Sequence, residues 1–368
     1  MPPERYTIAT IDGDGIGPEV CQATVTVLTE ACGRGRLDFV ALPGGAAHYQ
    51  RSGQVLPDDT FEACRGAHAI LHGAAGLPGV TYPDGTEVGN SLHLELRRRL
   101  DLYANVRPIR LYAGVDCPLK RWLPGQIDYI VLRENTEGLY ASRGGGIVLR
   151  GEVATDTLVV TRKGTQRIAR LAFELARGRS GAPRDGKRRV TVCDKANILR
   201  SFAFFRSVCD EVARGYPEIE IGHEYVDAIT VHMVKKPDFF DVIVAENLFG
   251  DILSDLGAGT VGGLGIAASA ELGDTHGLFQ GAHGSAPDIA GRDLASPLAT
   301  ILSGALLLRW LARQHDDARL ADDAGRVERA VEQVLAGGEA VPTDLGGEAS
   351  CSELTQAVCR RLGAEGGS

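Results

Sequence analysis

Short apolar runs, each stopped by a glycine or a charged residue and followed by helical periodicity, recur along this chain. Residues 6–11, 38–41, 67–72, 128–132, 190–195 and 241–245 are runs of this kind. Strands that alternate with helices in this way predict an α/β fold, a mostly parallel sheet with helices on both faces. At 368 residues the chain exceeds the usual size of one domain, so two lobes are expected, with a core large enough to need no staples.

The first run leads into GDGIGPEV, where Gly13, Gly15 and Gly17 precede Pro18 and Glu19. The third glycine of the dinucleotide fingerprint is missing, so a tight turn before a helix of residues 18–32 is the reading, and a true Rossmann fold is not. Glycines also crowd GAGTVGGLG and LGDTHGLFQGAHGSAPDIAGRD, read as loops in which backbone amides can approach a phosphate or ribose. Helices are expected over residues 299–313 and 325–335 and at the end of the chain, with residues 364–368 frayed.

Charged residues fall at informative places. Asp251 and Asp255 lie four apart in NLFGDILSD, on one face if that segment is helical. With Asp227 as a third carboxylate they suit a hard cation, Mg2+ or Mn2+; read alone, the pair is more often a solvated helix face. Leu92, Leu96 and Leu100 recur at helical spacing, which leaves Arg97 on another face. Arg107 follows in an extended segment, Arg133 ends the strand at 128–132, and Tyr140 comes one loop later. Three arginines brought together would hold carboxylates by planar paired hydrogen bonds, whereas Arg98 and Arg99 read as surface residues. Residues 144–161 alternate like a hairpin arm, and Lys195 and Asn197 close the strand at 190–195.

A formal net charge of −9 favours neither nucleic acid nor an anionic membrane as partner. The eight cysteines show no CxxC spacing, as in a reducing compartment. No signal-like or membrane-spanning run appears, so a cytoplasmic protein is expected.

GDGIGPEV, LRRRLDLYANVRP, RENTEGLY, DKANIL, NLFGDILSD and HGSAPDIAG, in this order, resemble the metal-dependent β-decarboxylating dehydrogenases, the family of isocitrate, homoisocitrate, isopropylmalate and tartrate dehydrogenases. The resemblance implies their two-lobed fold, with one lobe from 1–102 and 256–368 carrying the NAD loop, and a smaller dimerisation lobe from 103–255 with its arm near 144–161. It implies that Arg97, Arg107 and Arg133 hold the carboxylates of a malate moiety, that Tyr140 and Lys195 are the acid/base pair, and that Asp227, Asp251 and Asp255 are metal ligands. Lys195 and Asp227 would then serve the site of the second subunit in a homodimer with shared active sites. Asn197 would lie near the nicotinamide, while His283, Gly284, Ser285, Ala286, Asp288, Ile289 and Ser296 would meet the rest of the cofactor. An acid at Asp288 implies NAD, because it accepts from ribose hydroxyls and repels a 2′-phosphate. Two places depart from the family: Ser296 replaces the usual Asn, and Gln280, Gly281 and Ala282 replace Glu-Pro-Val.

Substrate choice in the family lies at the start of the helix, here Asn90, Ser91, His93 and Leu94. Burying Asn and His against an isopropyl group would leave polar groups unsatisfied, so a polar distal group of isocitrate or homoisocitrate type is expected. A phosphonate analogue of isocitrate, which a cationic His93 would suit, is an alternative, as are tartrate, malate and 3-isopropylmalate. A non-catalytic regulatory subunit is disfavoured, because the lysine and all three aspartates are retained.

Overall fold

The computed structural model describes residues 2–89 and 91–365. Asn90 and the last three residues of the tail expected to fray lie outside the described residues. The chain divides into two compact units: Met1–Leu102, Tyr112–Asp116 and Gly262–Ser368 form unit 1, and Tyr103–Leu111 and Cys117–Val261 form unit 2. The last return to unit 1 falls after Val261 instead of after residue 255, because the helix Asn247–Thr260 runs unbroken through that point.

The described strands are β1 (Tyr6–Gly13), β2 (Leu37–Ala41), β3 (Ala69–Ala74), β4 (Ala104–Arg110), β5 (Asp128–Glu134), β6 (Ile147–Leu149), β7 (Val153–Thr155), β8 (Arg189–Asp194), β9 (Glu220–Tyr225), β10 (Val242–Ala245), β11 (Ala268–Leu272) and β12 (Gly277–Gly281). In unit 1 they run in the order β2, β1, β3, β12, β11. β1 pairs parallel with β2 and β3, β3 parallel with β12, and only β11 with β12 is antiparallel. Unit 2 repeats the scheme: β4 and β5 are antiparallel, and β5, β10, β8 and β9 are parallel neighbours. The expected α/β architecture with mostly parallel strands is what the chain adopts. β3, β8 and β10 are buried along their whole length, which is why β10 reads as a continuous apolar run, whereas β8 buries the polar Arg189, Thr191 and Asp194 among its valines.

Burial also explains the helix Ser91–Arg99. Leu92, Leu96 and Leu100 close over Ile11 of β1, Ile70 of β3 and Leu278 of β12 in one cluster. Each such side chain contributes on the order of 1.5–3 kcal/mol of apolar transfer.

Some elements are not where the sequence put them. The segment read as a glycine loop, 272–293, holds β12, and β11 ends at its first residue. The helix expected from residue 325 begins at Ala318, where the Asp317 carboxylate accepts the Arg319 N–H. The hairpin at 144–161 is formed by β6 and β7, Ile147 opposite Thr155, with every strand residue exposed. No described helix is long and apolar enough to cross a membrane.

Candidate active site

In unit 2 the helix Asn247–Thr260 starts at Glu246, whose carboxylate accepts the Phe249 N–H at 3.2 Å. One turn and then two turns on, Asp251 and Asp255 face β4 and β5. The Arg107 guanidinium meets both: Nη1 donates to Asp255 at 2.8 Å and Nη2 lies 3.6 Å from Asp251. The four-residue spacing has put the two carboxylates on one face. Arg133, at the end of β5, donates through Nε and Nη2 to Asn247 Oδ1 at 3.0 and 2.7 Å and through Nη1 to Asp251. The Tyr140 hydroxyl donates to the second Asp251 oxygen at 2.8 Å. Three of the residues singled out from the sequence, Arg107, Arg133 and Tyr140, thus meet at Asp251. Burial pushes the Asp255 carboxyl up; Arg107 opposes this and the Asp251 charge adds to it.

Close approach depends on Gly250. A Cβ there would stand 2.6 Å from Arg133 Cβ, so the helix can lie against the arginine only if that position is bare.

Lys195, just beyond β8, donates to Asp227 at 2.6 Å, and this hydrogen bond holds the Asp227 carboxyl below the usual range. Both groups remain accessible to water. Asp227 is therefore paired with Lys195 and not gathered with Asp251 and Asp255. Among the described residues no three His, Cys, Asp or Glu side chains converge as they would around a metal ion, so one chain does not assemble the expected trio of ligands. Asn197 is exposed in the turn after β8.

In unit 1 the first glycine turn supports a second one. The Asp14 carboxylate accepts N–H groups of Ala46, Ala47 and Gly76, each at 2.8 Å. A Cβ on Gly15, whose φ is +58°, would stand 1.9 Å from the Ser285 carbonyl oxygen, and the Ile16 N–H donates to that oxygen at 2.8 Å. Ile16 and Val20 pack with Ala286, Ile289 and Ala290. The turn that imitates a nucleotide fingerprint is thus a buttress for the loop holding Asp288, whose side chain is exposed. Ser285 is buried and its hydroxyl donates to the Gly76 carbonyl, so that hydroxyl serves the loop; Ser296 likewise donates to Gly265 at 3.3 Å. His283 Nδ1 lies 3.0 Å from the Gly284 carbonyl, and burial lowers the pKa of its ring. Gly284 is exposed, and Ala286 takes a left-handed φ of 35°.

Around the helix Ser91–Arg99, Ser91 is buried and His93 half-buried, its ring centroid 6.2 Å from that of buried His72. Arg97 forms two 2.6 Å hydrogen bonds with Glu271 of β11, a residue that sequence reasoning passed over because it lies between two glycine-rich segments and was assigned to no element. Asp14 and Asn247 were missed too, although both sit inside recognised motifs; their signal was a polar residue fixed between glycines or at a helix start.

The sequence model of a family described as isocitrate/isopropylmalate dehydrogenase matches residues 7–358. A relative from Methanocaldococcus jannaschii named 3-isopropylmalate/3-methylmalate dehydrogenase is 44% identical over 358 residues, covering 97% of this chain and 99% of its own. One from Escherichia coli named D-malate dehydrogenase (decarboxylating) is 41% identical over 362 residues, covering 96% of this chain and 97% of its own. The solved isocitrate dehydrogenase from Methylococcus capsulatus superposes with a TM-score of 0.84 at 38% identity, covering 97% of this chain and 99% of that one. This chain belongs to the isocitrate/isopropylmalate dehydrogenase family and is a β-decarboxylating dehydrogenase.

Proposed function

We propose that the chain catalyses the NAD- and divalent-cation-dependent oxidative decarboxylation of a malate-type 2-hydroxy acid with a polar distal group, isocitrate- or homoisocitrate-like, to a 2-oxo acid, CO2 and NADH. The observation that carries this reading is the joining of Arg107, Arg133 and Tyr140 to the one carboxylate of Asp251, with Arg107 also holding Asp255. Asp251 and Asp255 offer hard oxygen donors on one helix face, and burial with a neighbouring like charge raises the Asp255 carboxyl, a strain that a divalent cation relieves. When bound, Mg2+ or Mn2+ supplies Lewis-acid stabilisation of negative charge on substrate oxygen.

The chain's own residues do the rest. Arg107 and Arg133 exchange aspartate for substrate carboxylate and orient it. Lys195 accepts the proton of the substrate hydroxyl as hydride leaves C2, and Tyr140 protonates the enolate carbon after CO2 departs. Exposed Asp288 accepts from the ribose hydroxyls of NAD, with the amides of Gly284 and Ala286 beside it.

Unit 2 also supports a homodimer with shared sites, in which Lys195 and Asp227 complete the site of the other copy. Val148, Leu149, Ile198, Leu199, Val231 and Ile252 are exposed on it, apolar side chains that a second copy would cover. Full turnover by a monomer in analytical ultracentrifugation would sink that part.

Ser91 and His93 support the polar distal group. A second reading, malate with a short alkyl group or none, is favoured by the names of the methylmalate and D-malate relatives. Rates of NAD and NADP reduction with Mg2+ on isocitrate, homoisocitrate, tartrate, malate, 3-isopropylmalate and a phosphonomethyl malate decide between them. Isocitrate or homoisocitrate is expected to lead by about tenfold or more, and equal weak rates on all would overturn the ranking.

A further inference from the structure

Nothing in the oxidative decarboxylation above calls for Glu271, yet it is fully buried and bound to an arginine expected to meet the substrate. It stands on β11 opposite Leu278 of β12. Gln280 lies two residues further along β12, on the same face and diagonally across, within reach of a long side chain. Its amide nitrogen donates to Glu271 Oε1 at 2.9 Å. From the helix Ser91–Arg99, Arg97 donates through Nε to Oε2 and through Nη2 to Oε1, both at 2.6 Å. Two parallel charge-assisted bonds fix the plane of a guanidinium as well as its position. The amide at 280 matters to this arrangement, because the glutamate usual in the family would set a second negative charge against Oε1 where the amide donates to it.

We propose that Glu271, steadied by Gln280, is a positioning residue: it presets the plane of the Arg97 guanidinium through which that arginine meets a substrate carboxylate. The inference rests on the function proposed above. Holding the side chain in one arrangement beforehand removes the entropy that substrate binding would otherwise lose. The pair is also neutral as a unit, so Arg97 can stay buried at low cost and contributes direction more than net charge. Its effect therefore falls on binding, and less on turnover.

The test compares the wild type with Glu271→Gln, Glu271→Asp, Arg97→Gln and the Arg97→Gln/Glu271→Gln double variant. Calorimetric Kd for D-malate and isocitrate with Mn2+ is measured alongside KM, kcat and the thermal midpoint. Glu271→Gln is expected to raise Kd and KM about tenfold or more while kcat stays within about threefold, and Glu271→Asp to recover part of the loss. Within the Arg97→Gln background, removing the Glu271 charge is expected to change Kd less than about twofold, since nothing remains for it to act through. An unchanged Kd and KM with a lowered thermal midpoint would show a purely structural residue and overturn the proposal, as would equal effects in both backgrounds. If Glu271→Gln does not fold, Glu271→Asp and the double variant, which leaves no buried charge alone, carry the comparison. A wild type that neither binds nor oxidises these acids would overturn the function and this inference together, whereas an active wild type matched by its Glu271 variants overturns the inference alone.

Discussion

The two units hold their arginine–carboxylate pairs in opposite surroundings. Arg97 and Glu271 in unit 1 have side-chain exposures of 8% and 0%. In unit 2, Arg107 and Arg133 are buried too, but their partners Asp255 and Asp251 are 54% and 29% exposed. A pair closed to water on both sides is locked, because separating it leaves a buried charge at a cost of roughly 3–5 kcal/mol. A carboxylate that still reaches water can be taken up by solvent, and the buried arginine it leaves is then satisfied only by an incoming carboxylate. The apolar surface divides in the same way: of the large apolar side chains recorded as exposed, all but Val40 and Leu264 belong to unit 2. Unit 1 has the saturated, rigid arrangement, and unit 2 keeps the groups that must exchange.

The largest effect should come from unit 2. Lys195→Met and Tyr140→Phe are each expected to lower kcat by on the order of 10²-fold or more, read as NADH absorbance, with little change in thermal midpoint because both side chains are partly exposed. Tyr140→Phe should slow decarboxylation of the added 3-carboxy-2-oxo acid, the species formed by hydride transfer before CO2 is lost, more than hydride transfer. The reverse order would reassign the two residues and weaken the view of unit 2 as the reacting half.

A smaller effect tests whether unit 2 is rigid behind its exposed aspartates. Gly250→Ala pushes a methyl group against Arg133 and is expected to cost about 1–3 kcal/mol of stability, while Gly259→Ala, on the same helix with nothing within 4 Å, should gain up to about 1 kcal/mol. Urea denaturation of the pair distinguishes them, and equal outcomes would mean that the helix yields freely.

The smallest effect lies in unit 1 and depends on pH. Burial lowers the pKa of His72 below its ordinary 6.5, partly offset by the Ile11 carbonyl and the Glu271 and Asp14 charges, and burial lowers His283 likewise. A histidine depressed in the fold takes up its proton more readily when unfolded. The stability it lends is therefore complete above about pH 6.5 and is lost as pH falls from there through the folded value, by at most about 1.4 kcal/mol per pH unit for each ring. His72→Gln should flatten the fall in thermal midpoint between pH 6.5 and 5, and an unchanged slope would remove His72 as its source.

The site was unevenly legible. Asp251 and Asp255 could be placed on one face because helical spacing is local, and Leu92, Leu96 and Leu100 announced their burial for the same reason. Glu271 could not be found this way: its value lies in Arg97, 174 positions earlier, and the short strand that carries it falls between two glycine-rich segments. Asp14 was hidden similarly, since its three N–H donors come from 32 to 62 residues away.

Periodicity and motif order, read from the amino acids alone, determined the α/β alternation, the helix faces and the family, because each depends on neighbours within a few residues or on residue identity. Tertiary structure alone decided which carboxylate each arginine keeps, that the glycine turn at 13–17 supports the loop at 283–291, and that Asp227 stands with Lys195 and not with the other aspartates. Those are choices among partners of equal chemistry, and only the packing of distant strands and helices sets the distances that choose between them.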